Sequence, residues 1–232
     1  MSQPLCIVIH GFTGSPREVQ PLAKALSTAG YEVVAPLLPG HYCEKKRMDK
    51  ATASDWIGAI EELTKRAIYE KRVVHLIGFS MGAMIAAIIA SRHSIRTLVL
   101  LSPAVYIVTP NVLLTRSRRM VKLVRENRFL FSQAMRNEFT SMGSAPLYNV
   151  LQFQKVIRDA KKRIPYIDIP VCIVHGLEDE IVDPKSSYWI YKTVSTQEKE
   201  VHTLSNSGHL VCYGIEVNVL VKTVLCFLNK YT

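Results

Sequence analysis

Three kinds of side chain stand where they could carry acyl chemistry together. The stretch "HLIGFSMGAMIAAIIA" holds Ser80 between Gly78 and Gly82, fitting G-x-S-x-G. A serine hydroxyl attacks a carbonyl only when a base takes its proton and an acid orients that base. Further along, "VCIVHGLEDEIVDP" delivers Asp179 just after an apolar run, and "HTLSNSGHL" delivers His209. The order serine, acid, histidine is the one expected when each residue follows a different strand of a parallel sheet. The pentapeptide alone is weak, because glycines are common at strand-to-helix junctions. Its setting is stronger: a buried run, Val73–Ile77, precedes it and a helical run begins at Met81.

Other candidates rank lower. Asp183 precedes Pro184 and reads as a helix cap, and Glu178 and Glu180 flank the favoured acid position. His75 and His202 lie within strands, and His93 at a helix end. His10 and His175 close strands and are expected to hydrogen-bond locally. His41, in "PGHY", is the main rival to His209, but it precedes the serine. A tetrahedral intermediate also needs two N–H donors aimed at its oxyanion. Met81 supplies one at a helix start, and Phe12, in the glycine-turned loop "IHGFTGSP", is the expected second. Thr13 could add a polar contact there or merely shape the turn.

Six apolar runs must position these residues: Leu5–Ile9, Tyr31–Ala35, Val73–Ile77, Thr97–Leu101, Val171–His175 and, more weakly, Glu200–Leu204. Helical patterns alternate with them at Pro16–Ala29, Thr52–Tyr69, Met81–Arg92, Pro184–Val194 and Glu216–Asn229. Near-continuous apolar strands between helices indicate an α/β fold with a mostly parallel sheet covered on both faces. The segment from Pro103 to Asp168 breaks the alternation. It has helical patterns at Asn111–Arg125 and Asn149–Lys162 and reads as a small helical cap over the carboxyl ends of the strands. The chain is expected to be one domain over residues 1–232 with this insertion at about 103–168.

Composition excludes several classes. With 48% apolar and 21% charged residues, the 232-residue chain is globular rather than disordered. Its start, "MSQPLCIVIHGF", lacks a basic region and reads as a first strand, not a signal peptide. The apolar run Met81–Ala90 falls short of the ~20 residues a bilayer needs. Five scattered cysteines without a CxxC fit free thiols in a reducing, cytoplasmic setting better than a zinc site. A dinucleotide site is disfavoured, since "GFTGSP" lacks G-x-G-x-x-G. The net charge of +10 is uneven: residues 103–168 hold 12 Lys+Arg against 4 Asp+Glu, and the rest 17 against 15. Arg116, Arg118, Arg119, Lys122 and Arg125 fall mostly off the apolar face of the first cap helix. They form either a solvated face or a surface for anionic membrane lipids.

Four segments, "HGFTGSPREVQPLAKALSTAGYEVVAPLLPGH", "GFSMGAMIA", "HGLEDEIVDP" and "SGH", resemble landmarks of the α/β-hydrolase superfamily. The likeness is to its small bacterial carboxylesterases and monoacylglycerol-lipase-like enzymes. It covers nearly the whole chain and is weakest in the cap. One departure is Tyr42, which follows "GH" where the family often has glycine. The resemblance implies an α/β-hydrolase fold of about six strands, with Ser80 as nucleophile, Asp179 as acid, His209 as base, and Phe12 and Met81 as oxyanion donors. It implies hydrolysis of a monoacyl glyceride or a short- to medium-chain acyl ester through an acyl-serine, with no cofactor, no metal and no nucleic-acid partner. Dehalogenase and epoxide-hydrolase relatives would carry aspartate at position 80. The alternatives are an acyl-thioesterase or acyltransferase using the same three residues, or a non-catalytic binding protein of this fold.

Overall fold

The computed structural model describes residues 3–41, 51–108 and 146–231. Tyr42, Cys43, the expected helix at Asn111–Arg125 and the apolar Phe129–Phe131 lie outside the described residues. Six strands form one sheet: β1 (Leu5–Ile9), β2 (Glu32–Val34), β3 (Val74–Phe79), β4 (Thr97–Leu101), β5 (Val171–Gly176) and β6 (Lys199–Leu204). The order is β2-β1-β3-β4-β5-β6, and every pairing is parallel. The chain runs outward from β1 to β2, then crosses back to place β3 on the other side of β1. The carboxyl ends of β1 and β3 therefore flank a topological switch point, where open α/β sheets bind ligands.

Six helices are described: α1 (Gln20–Thr28), α2 (Ala53–Tyr69), α3 (Met81–Ala90), α4 (Leu147–Arg163), α5 (Lys185–Thr193) and α6 (Val217–Asn229). Strand alternation divides the core between the two sheet faces. Leu5, Ile7 and Ile9 of β1 join Leu76 of β3 and Ile173 of β5 under α2, α3, α4 and α5. Cys6, Val8, Ile77, Val99 and Val174 point the opposite way, toward α1 and α6. Helix α3 is apolar all round, and all ten of its residues are buried, as a helix without a polar face requires.

Boundaries moved where local chemistry outweighed hydrophobic pattern. The first helix opens with a 3-10 turn at Pro16–Val19, and β2 keeps only three residues. At α2, Thr52 and Asp55 form a reciprocal capping box. Asp183 is expected to cap α5 with Pro184 at its first position; instead Pro184 holds the cap position, and Asp183, one residue earlier, accepts from the Lys185 N–H at 2.9 Å. Helix α4, expected within the cap, packs Phe153, Val156 and Ala160 into the same core as α3. Among the described cysteines, Cys6, Cys172 and Cys212 are buried and Cys226 is exposed, all as thiols. No described helix is long and apolar enough to cross a membrane.

Candidate active site

Ser80 stands between β3 and α3 in a turn with φ 54° and ψ −112°. A non-glycine residue in that region carries strain of about 1–3 kcal/mol, which the flanking strand and helix must hold. The turn is possible because its neighbours lack side chains. A Cβ on Gly78 would meet the backbone of Gly82, and one on Gly82 would meet the backbone carbonyls of Ile9 and His10. The glycines thus let the turn fold back on itself and pack against the end of β1. The Ser80 N–H donates to the Leu101 carbonyl at 2.9 Å, tying the turn to β4.

Asp179 and His209 arrive on the loops after β5 and β6. The Ser80 hydroxyl donates to His209 Nε2 at 3.0 Å, and His209 Nδ1–H donates to Asp179 Oδ2 at 2.8 Å. All three residues are at least 93% buried by side-chain or residue exposure, with Ser80 at 6%, Asp179 at 7% and His209 at 5%. The structure therefore brings together the serine, acid and histidine singled out by sequence. The second oxygen, Asp179 Oδ1, accepts from the Ile181 and Val182 N–H groups at 2.9 and 2.8 Å. Phe79 lays its ring against the His209 imidazole, with centroids 5.0 Å apart. The Ser102 hydroxyl donates to the His209 carbonyl at 3.2 Å. Glu216 steadies the loop that leads to His209, accepting from Ser205 N–H, Asn206 N–H and the Ser207 hydroxyl.

Electrostatics follow from this burial. Desolvation alone would raise the Asp179 carboxyl, but His209 and His175, by charge and hydrogen bond, hold it well below the usual carboxylate range. Desolvation also penalises the His209 imidazolium. Asp179 outweighs that cost, helped by Glu180 and Glu18, and the net shift is upward from 6.5.

The rival histidines are otherwise engaged. His41 donates from Nδ1 to the Pro39 carbonyl at 3.2 Å and packs against His10 and Trp56. Burial lowers it to about 4. His10 accepts the Leu38 N–H at Nε2, so its Nδ1–H donates to the Gly11 carbonyl. Burial, with His41 nearby, lowers it to about 3. His75 bonds Thr97 within the sheet. The sequence reading placed His175 in local bonding only. Its Nε2 also lies 3.1 Å from Asp179 Oδ2.

Phe12 follows β1 and Met81 opens α3, so both residues come just after the carboxyl ends of the two strands that flank the switch point. Helix-start amides have no intrahelical acceptor and favour negative charge. Phe12 stacks on Phe153 of α4, with centroids 4.9 Å apart, and meets Trp56 of α2 edge-on. These contacts fix the loop after β1 from above. From below, the Gly11 N–H donates to Glu18, a buried carboxylate that no motif pointed to. Thr13 adopts a positive φ of 59°, the turn-shaping conformation.

Among the described residues, Cys172, Glu200 and His202 form one group whose ligand atoms all lie within 4.8 Å of one another. It sits on β5 and β6, away from the Ser80 turn. Lys230 pairs with Glu200 there at 3.1 Å, and burial pushes the Cys172 thiol up, so a protonated thiol stands beside an ion pair.

Known proteins with this arrangement of chain are numerous. A family profile described as Hydrolase_4, serine aminopeptidase S33, matches residues 2–214. The thermostable monoacylglycerol lipase of Bacillus sp. (strain H-257) is 26% identical over 228 residues, covering 97% of this chain and 90% of its own. The carboxylesterase of Bacillus subtilis (strain 168) is 22% identical over 227 residues, covering 97% and 92%. Among solved structures, one from the metagenome-derived lipolytic enzymes LipS and LipT superposes with a TM-score of 0.81 at 23% identity, covering 99% of this chain and 94% of that one. The Paleococcus ferrophilus monoacylglycerol lipase gives 0.76 at 17% identity, covering 100% and 97%. With an α/β-hydrolase sheet and a family match over most of its length, the chain belongs to the Hydrolase_4 (serine aminopeptidase, S33) family of hydrolytic enzymes.

Proposed function

We propose that this enzyme hydrolyses carboxylic esters through an acyl-serine formed on Ser80. The observation that carries the reading is the unbroken hydrogen-bond chain from Asp179 through His209 to Ser80. Ser80 Oγ attacks the ester carbonyl carbon while His209 Nε2 takes its proton, and the resulting imidazolium is held by Asp179. The Phe12 and Met81 N–H groups receive the oxyanion. As the tetrahedral intermediate collapses, the ester C–O bond breaks, and His209 returns the proton to the departing alcohol. Water, deprotonated by the same imidazole, then attacks the acyl-serine and releases the acid. The chemistry is complete with these side chains and water.

The substrate class is a monoacylglycerol or a short- to medium-chain acyl ester. Two relatives carry the names monoacylglycerol lipase and carboxylesterase, which supports the ester reading over the peptide substrate implied by the family's description. The partly buried ring of Phe12, on the loop after β1, suits contact with an acyl chain. We further propose a single folding unit over residues 1–232 that includes the insertion at 103–168. The basic residues 116–125 of that insertion would meet anionic lipid, and salt-sensitive sedimentation with anionic vesicles tests this. An acyl-thioesterase or acyltransferase is the second reading, since the same three residues accept thioesters.

A substrate panel separates these readings. The purified enzyme should turn over p-nitrophenyl butyrate with kcat/KM at least about tenfold above that for the matching butyryl thioester or an aminoacyl p-nitroanilide. A thioester preference would move the assignment to the second reading. A p-nitroanilide preference would make it a peptidase.

A further inference from the structure

Asp179 serves two imidazoles. Its Oδ2 accepts from His209 Nδ1 at 2.8 Å and lies 3.1 Å from His175 Nε2. The protonation of His175 follows from its other partners. Its Nδ1 is 2.6 Å from the Ser187 hydroxyl, and its Nε2 is 3.3 Å from the Val182 carbonyl. A carbonyl and a carboxylate only accept, so Nε2 carries the proton and Nδ1 accepts from Ser187. His175 is the penultimate residue of β5, Asp179 lies in the loop that follows, and Ser187 stands on α5, so three successive pieces of chain meet at this imidazole. Both His175 and Ser187 are fully buried.

We infer that His175 is a positioning residue for the proposed reaction, donating from Nε2 to the Asp179 oxygen that orients His209. Two backbone amides fix Oδ1, but they allow the carboxylate to rock about the line through that oxygen. The His175 donor fixes the other end and draws off part of the charge on Oδ2. A carboxylate sharing its charge between two N–H donors holds the His209 proton less tightly than one serving a single imidazole. His209 therefore becomes the free base at a lower pH than it otherwise would. Asp179, Glu180 and Glu18 are the charges that act on His209, from the loop after β5 and from the turn after β1. His175 is not among those groups, and its influence on His209 passes through Asp179. Val182 alone could satisfy the His175 donor, and then the residue would be only a core histidine.

This inference rests on the proposed roles of Ser80, His209 and Asp179, and its test is the pH–rate profile of p-nitrophenyl butyrate hydrolysis. His175→Phe keeps a ring and removes the donor. We expect kcat to fall about tenfold or more with KM within about threefold. The acid limb of kcat/KM should move upward by about half a pH unit or more. His175→Gln can set its amide nitrogen where Nε2 was, and should return the limb to its original place with most of the rate. A folded His175→Phe enzyme with an unmoved limb would overturn the inference. So would a His175→Gln enzyme as impaired as His175→Phe with both limbs unmoved. If the phenylalanine variant does not fold, imidazole 15N spectra of the unsubstituted protein still decide: a His175 proton on Nδ1 contradicts the donor role. That spectrum is independent of which serine reacts. Failure of the Ser80 reading shows itself separately, as an unsubstituted protein whose Ser80 takes no fluorophosphonate label.

Discussion

At the residue scale, the site is three side chains whose chemistry depends on one another. In the proposed reaction, His209 serves as base only while Asp179 holds its Nδ1–H and the Ser80 hydroxyl faces its Nε2. Because the residues act as one unit, His209→Ala should lower kcat by roughly 10⁴, about as far as loss of the serine. His41→Ala should change KM or stability instead, since His41 bonds Pro39 and packs on Trp56. Measuring kcat for both variants with one soluble ester checks this, and the reverse ranking would contradict it. The raised His209 value means that kcat/KM should climb as pH rises through a single group titrating above 6.5. Ser80, Asp179 and His209 were readable because chain order and strand ends leave few candidates. His175 was not, because its role depends on the side chain reaching four residues ahead to Asp179 while Ser187 of a later helix fixes its proton. Glu18 was equally silent: an acidic residue early in a helical pattern looks like helix chemistry, and only the folded loop directs it to the Gly11 amide.

At the element scale, the strand-turn-helix unit of β3 and α3 sets Ser80, the proposed nucleophile, and its glycines set how closely it approaches β1. Gly82→Ala would push a methyl group into the Ile9 and His10 carbonyls. Backbone cannot step aside as a side chain can, so the variant should lose at least about 1–3 kcal/mol in denaturant midpoint analysis. Its kcat should fall as well, because Met81 and Ser80 move with the turn. A variant of unchanged midpoint would mean that β1 yields more than its parallel pairing with β2 and β3 suggests. The elements themselves were legible from apolar runs, and all six strands agree with their expected positions to within about two residues. Helix α4 was legible as a helix but not as a neighbour. Its sequence shows an amphipathic face, whereas the partner of that face, the wholly apolar α3, is set by the crossover from β4 to β5.

At the scale of the whole molecule, buried histidines link folding to pH. Burial is the leading cause in lowering His10 to about 3, and His41 and His75 to about 4. An unfolded chain would protonate all three near the ordinary 6.5, while the folded chain resists. A depressed histidine therefore contributes stability above 6.5 that is lost as pH falls toward the folded value. The denaturation midpoint should accordingly fall steadily between about pH 6.5 and pH 4, before most carboxylates titrate. A midpoint that is flat across that window would show these imidazoles to be more accessible than their burial implies. The uneven net charge belongs to this scale too, since most of the excess of +10 resides in residues 103–168.

The central claim is that Ser80 is the nucleophile of an ester hydrolase. Its most direct measurement is the rate of p-nitrophenyl butyrate hydrolysis by Ser80→Ala, purified free of host esterase and verified as folded. kcat should fall by about 10⁴ or more. Retention of more than about 3% of the parent rate would contradict it, because the residual catalysis left by oxyanion donors and binding alone lies far below that level.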